Sequence, residues 1–131
     1  MMKIEGIFTD KAPSPAGHYR QAVRHGNTLY ISGQLGVAKG TPDPEQISVT
    51  EQVNFALNNI DAILRAAGSG RDMVIKTTVY VTDISQWDEA NQAYAGFFGG
   101  HQPARAVVPC KALHLGSKIE IEAIAAIDSA E

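Results

Sequence analysis

Residues 103–127 read PARAVVPCKALHLGSKIEIEAIAAI, and the run 119–127 within them decides how the chain is built. Strand alternation puts Ile119, Ile121, Ala123, Ala125 and Ile127 on one face. The opposite face opens with Glu120 and Glu122 and turns apolar at Ile124 and Ala126. A strand that is apolar on both sides needs cover on both sides. The run that starts at Ala104 and Arg105 reads as a second strand.

Upstream, MVIKTTVYVT at 73–82 is β-branched and alternating, with Met73, Ile75, Thr77, Val79 and Val81 on one face. Between this strand and the one at Arg105 the pattern switches to a helix, with Ser85 as N-cap and Trp87, Ala90, Tyr94, Phe97 and Phe98 as the buried stripe. An earlier helix spans 48–68: Ser48 and Glu51 form a capping box and Gly68 closes the end. Its stripe is Val49, Val53, Ala56, Leu57, Ile60 and Leu64, with Asn54, Asn58 and Arg65 toward water. HYRQAV and TLYISG, joined by RHGN, read as a hairpin. Strands alternating with helices imply crossover connections, which favour parallel neighbours and put both helices on one face of the sheet. Two helices cover one face only. The other is most economically buried against a second copy of the chain, in a closed symmetric oligomer.

At 131 residues, the chain is long enough for one domain, 1–131, with a sizeable core. The formal net charge of -3 and the scattered Lys and Arg offer no footprint for nucleic acid. The single cysteine, Cys110, cannot form an internal disulfide and reads as packing, and no Cys and His fall at zinc spacing. The N-terminus lacks the apolar core of a signal peptide, and no apolar run approaches the ~18 residues of a membrane span. These features predict a cytoplasmic protein.

Two charged residues stand out. Arg105, taken alone, reads as a surface charge at a strand end, yet guanidinium is also the side chain that grips a carboxylate through two parallel hydrogen bonds. Glu120 is either a solvated outward residue or, at the rim of an oligomeric pocket, a general base. Closeness to Arg105 would keep it ionised. Asn91 sits on the apolar stripe of the second helix, where a polar amide needs a partner; a bond to backbone is the plain expectation. His25, His101 and His114 read as solvated loop residues.

PARAVVPCKALHLGSKIEI resembles the signature of the RidA/YjgF family of enamine and imine deaminases, and GHYRQAV, YISGQL, DMVIKTTVYVTDI and NQAYAGFF follow in the family's order. The resemblance implies an α/β (α+β), chorismate-mutase-like fold: a mixed sheet with two helices on one face, assembled as a homotrimer with pockets at the subunit interfaces. It implies a hydrolase acting on C–N bonds, converting reactive 2-enamino or 2-imino acids such as 2-aminoacrylate to 2-oxo acids and ammonia, with no metal or organic cofactor. By the same resemblance Arg105 holds the substrate carboxylate and Glu120 positions water, while Tyr19, Ser32, Gly33 and Asn91 bind substrate. The chain departs from the family where His18 and Gly36 replace prolines, adding a titratable group and loosening a turn, and where Val107 replaces a cysteine. Two other functions fit the same fold. One is a non-catalytic trimer sensing small carboxylates; the other is an endoribonuclease, which the acidic balance disfavours.

Overall fold

In the computed structural model, which describes residues 3–128, six strands form one sheet in the order β1-β2-β3-β6-β4-β5. The strands are β1 (Ile4–Ile7), β2 (Ala22–His25), β3 (Thr28–Leu35), β4 (Val74–Val81), β5 (Ala104–Pro109) and β6 (Ile119–Ala126). Two helices, α1 (Val49–Ala66) and α2 (Trp87–Phe98), pack together on one face. The β4–β5 pair, joined through α2, is parallel, and every other pairing is antiparallel. The crossover through α1 does not make β3 and β4 neighbours, because β6 inserts between them antiparallel to both.

β6 explains the arrangement. Its residues Ile119, Ile121, Ala123, Ala125 and the following Ile127 are buried beneath the helices, meeting Val53, Leu57, Ile60 and Leu64 of α1 in one apolar cluster. Each Ile, Leu or Val side chain so removed from water contributes roughly 1.5–3 kcal/mol. The capping box is present: the Ser48 hydroxyl accepts from the Glu51 N–H at 3.0 Å, and the Glu51 carboxylate accepts from the Ser48 N–H at 3.4 Å. Gln52 of α1 is fully buried, with Oε1 accepting from the Lys118 N–H at 2.8 Å and Nε2 donating to Pro44 and Ile47 carbonyls. It pins the start of β6 to the helix.

Four local expectations are corrected. Ile75 is half exposed, because the β4–β6 register shifts between Val74 and Lys76 and turns it off the core face. Ser85 does not cap the second helix: it lies in a short 3-10 turn, Ile84–Gln86, which Asp83 caps with its carboxylate accepting from the Ser85 N–H at 2.8 Å, and α2 follows Gln86 with no side-chain cap. Trp87, first in α2, is only partly covered. The hairpin is present but its first strand begins at Ala22, leaving His18 and Tyr19 in the preceding bend.

The face of the sheet away from the helices carries Tyr30, Thr78, Tyr80, Glu122 and Ile124, and among the described residues no element packs over it. No helix of the described residues is long and apolar enough to cross a membrane.

Candidate active site

The Glu120 side chain projects from β6 on the open face, opposite the buried Ile119 and Ile121. Beside it β3 breaks register between Ile31 and Gln34, placing Ser32 and Gly33 in an irregular stretch. Gly33 is needed there: a Cβ on it would sit 2.7 Å from Glu120 Oε2 and 2.9 Å from its Cδ, so the carboxylate lies directly on the backbone. A cavity of about 560 Å³ surrounds the group, lined by Tyr19, Ser32, Gly33, Leu35, His114 and Glu122 among others. Burial pushes the Glu120 carboxyl up from its usual range, the negative charge of Glu122 adds to this, and His114 opposes it. The Ser32 hydroxyl donates to the Arg20 carbonyl at 2.6 Å, and Tyr19 Oη accepts from the Ala16 N–H at 3.2 Å, leaving the phenolic proton to point elsewhere.

Arg105 occupies a second cavity, of about 360 Å³, lined by Asn91, Tyr94, Phe98, His101, Gln102 and Pro103. Its Nη1 donates to Asn91 Oδ1 at 2.8 Å, and its guanidinium carbon lies 4.8 Å from the Tyr94 ring centroid and 5.6 Å from that of Trp87. The partner of Asn91 is therefore Arg105 and not backbone. One hydrogen bond and two aromatic faces orient the fork while its remaining N–H groups stay available for a carboxylate. Tyr94 is itself fixed by a 2.7 Å hydrogen bond to Thr77, and burial pushes its phenol pKa up.

The six predicted residues thus fall into two groups. Tyr19, Ser32, Gly33 and Glu120 converge on one cavity, and Arg105 and Asn91 on another. The cavities share no residue, and they open on opposite faces of the sheet. Arg105 pairs with Thr77, whose hydroxyl lies under α2, whereas Glu120 pairs with Tyr80, three residues along the same strand and so on the other side. Within one chain Arg105 does not contribute to the ionisation of Glu120.

Other expectations change as well. His18 is exposed and is not among the residues lining the Glu120 cavity. Gly36 does not loosen a turn: it is buried, and its N–H donates to the Ile119 carbonyl and the Ser117 hydroxyl, both at 2.9 Å. His101 is tied to the Val74 carbonyl at 2.7 Å. His114 lines the Glu120 cavity, carried there by a left-handed turn at Leu115 (φ 59°) and Gly116 (φ 71°). Gln21 escaped notice entirely; buried, it accepts from the Thr9 N–H and donates to the Thr9 and Pro13 carbonyls, fixing the N-terminal segment as a cavity wall. Among the described residues no group of three or more His, Cys, Asp or Glu is placed to hold a metal ion.

A mixed six-stranded sheet under two helices, with a carboxylate in a cavity on one face and a guanidinium in a cavity on the other, defines the class: a small α+β protein with hollows sized for small molecules. Residues 9–127 match the family described as Endoribonuclease L-PSP. The chain is 44% identical over 119 residues to the rat 2-iminobutanoate/2-iminopropanoate deaminase, covering 91% of this chain and 87% of that one. Its structure superposes on that of the Escherichia coli YjgF gene product with a TM-score of 0.86 at 38% identity, covering 93% and 98% of the two chains. The corresponding figures for Escherichia coli TdcF with bound serine are 0.87 and 35%, covering 95% and 99%. This chain belongs to the RidA/YjgF family.

Proposed function

We propose that the protein is a hydrolytic deaminase of 2-enamino and 2-imino acids, and that each reaction site forms where the Arg105 cavity of one copy meets the Glu120 cavity of another. The observation that carries this reading is the division of complementary chemistry between two faces: a pre-oriented guanidinium on one and a half-buried carboxylate on the other. Neither suffices alone. Because the two cavities open on opposite faces of the sheet, a single two-fold partner cannot cover both at once, whereas a head-to-tail contact repeated around a closed ring can, which favours the homotrimer over a two-fold dimer. The uncovered sheet face with Tyr30 and Ile124 supplies further surface for the same contact. The deaminase name of the rat relative, and the amino acid bound to TdcF, support a small amino- or imino-carboxylate as substrate.

In this mechanism Arg105 grips the substrate carboxylate and Asn91 holds the guanidinium in plane. A 2-enamino acid first takes a proton on carbon and gives one up from nitrogen to become the 2-imino acid. Glu120 then removes a proton from water as its oxygen bonds to the C=N carbon, and the π pair moves to nitrogen, which takes a proton from solvent. The carbinolamine collapses: the C–N bond breaks, the proton held by Glu120 leaves with nitrogen as ammonia, and the hydroxyl gives its proton back to solvent as the C=O of the 2-oxo acid forms. A carboxyl raised toward neutrality suits both taking and returning the proton. Imines hydrolyse readily in water, so fixed geometry supplies most of the gain.

The test is hydrolysis of enzymatically generated 2-aminoacrylate, followed by ammonia and pyruvate release. Release faster with protein than without is expected, and release at the uncatalysed rate refutes the reading. The family description also names an endoribonuclease. Against that activity stand a net charge of -3 and a candidate cavity walled by Glu120 and Glu122. RNA incubated with the protein should stay intact.

A further inference from the structure

The hollow around Glu120 does not end at His114. Five of its walls, Ala16, Tyr19, Gly33, Leu35 and His114, also bound a second hollow of about 580 Å³ that runs between the N-terminal segment, the end of β3 and α1. The lining of this extension includes Ser14, Lys39 and Asn59 and not one Asp or Glu, in a chain whose acidic residues outnumber its basic ones. Two of its amides are already engaged: Gln21 with Thr9 and Pro13, and Gln34 with the Ser32 carbonyl. Asn59 is different. It is 7% exposed, and its Nδ2 is the one buried side-chain polar atom without a hydrogen-bond partner among the described residues. A buried amide donor left unpaired is costly, and the missing acceptor has room to come from an occupant of the hollow. Lys39 stands at the same hollow without an ion pair among the described residues.

We propose that this extension is the side-chain subsite of the reaction site, and that it takes 2-imino acids whose side chain ends in an acceptor oxygen, a carboxylate or a carboxamide, bound by Asn59 and Lys39. The proposal rests on the deaminase reading for its substrate class. The geometry favours it over short aliphatic side chains, which would leave the Asn59 amide unsatisfied and the hollow largely unfilled.

Calorimetric binding of 2-oxo acids, the product class, tests it without depending on turnover. The probes are 2-oxoglutarate and 2-oxoglutaramate against 2-oxohexanoate, of similar length with an apolar end. The acceptor-ended probes should bind about tenfold more tightly, as one added hydrogen bond allows. Asn59→Leu, similar in size without the donor, should erase most of that preference. Lys39→Ala, at an exposed position, serves as the second variant should Asn59→Leu fail to fold, and it should weaken 2-oxoglutarate more than 2-oxoglutaramate. Equal binding of all three probes overturns the proposal, as does a preference that survives both substitutions. A crystal of the 2-oxoglutarate complex with only water on Asn59 overturns it too. Failure of the deaminase reading is distinguishable: 2-iminopropanoate hydrolysis at the uncatalysed rate, with the binding preference intact, refutes the reaction and leaves the subsite standing.

Discussion

Gly33→Ala places a methyl group where the Glu120 carboxylate now lies. The new Cβ would be 2.7 Å from Oε2 and 2.9 Å from Cδ. That is about 0.7 Å short of ordinary van der Waals contact, so the carboxylate must swing away by at least that much. The backbone itself raises no objection, because Gly33 is not among the positive-φ glycines. The obstructing atoms are the far end of a flexible side chain, so stability should change by less than about 1 kcal/mol. Catalysis should not be so tolerant: a misplacement of about 1 Å in a reacting group costs on the order of a hundredfold. The expected result is a folded protein, with a Tm within a few degrees of the parent, whose kcat for 2-aminoacrylate falls between tenfold and a hundredfold. Ammonia release and thermal melts on the same preparation measure both. A fully active Gly33→Ala protein would refute the claim that Glu120 works from the position it holds over this glycine.

Gly36→Ala should do the reverse, since its Cβ would fall 2.5 Å from Gln52 Cβ and 3.0 Å from the Gln52 carbonyl, which are rigid parts of α1. Overpacking of this kind costs about 1–3 kcal/mol, visible as a fall of several degrees in Tm, and an unchanged Tm would contradict the packing described. The acid limb of kcat/KM should report Glu120, active as the carboxylate, under the upward push of burial and Glu122 and the downward pull of His114. Glu122→Gln removes the like charge and should move that limb to lower pH, whereas His114→Gln removes the opposing influence and should move it higher. Limbs that stay fixed in both variants would assign the titration to another group.

What the sequence disclosed and what it hid divide along physical lines. The capping box at Ser48 and Glu51, the apolar stripe of α1 and the buried face of β6 at Ile119, Ile121, Ala123 and Ala125 follow from residue type and period, and all three stand as read. β1 was missed because IEGI is four residues long, and three of them are exposed in an edge strand held mainly by its ladder to β2. Ile75 was misplaced because a register shift breaks the alternation, and no local pattern announces one. Ser85 is no helix cap because a 3-10 turn, itself capped by Asp83, runs directly into α2. Arg105, Glu120 and Asn91 drew notice by residue type and place, Tyr19, Ser32 and Gly33 only through resemblance, and their separation onto two faces was not legible at all. It depends on the order β3-β6-β4-β5, which pairs Arg105 with Thr77 and Glu120 with Tyr80 across strands distant in sequence. His114 and Asn59 stayed hidden for the same reason: each looks ordinary on its own element and becomes notable only against the cavity it lines.

The central claim is that one copy supplies the guanidinium and another the carboxylate. Mixing two inactive proteins tests it: Arg105→Ala and Glu120→Gln chains, unfolded together in equal amounts and reassembled. In random assemblies about one site in four joins an intact Arg105 to an intact Glu120, so activity should return to about a quarter of the parent's. A reassembled mixture no more active than either variant alone would place both groups in the service of a single chain and contradict the account.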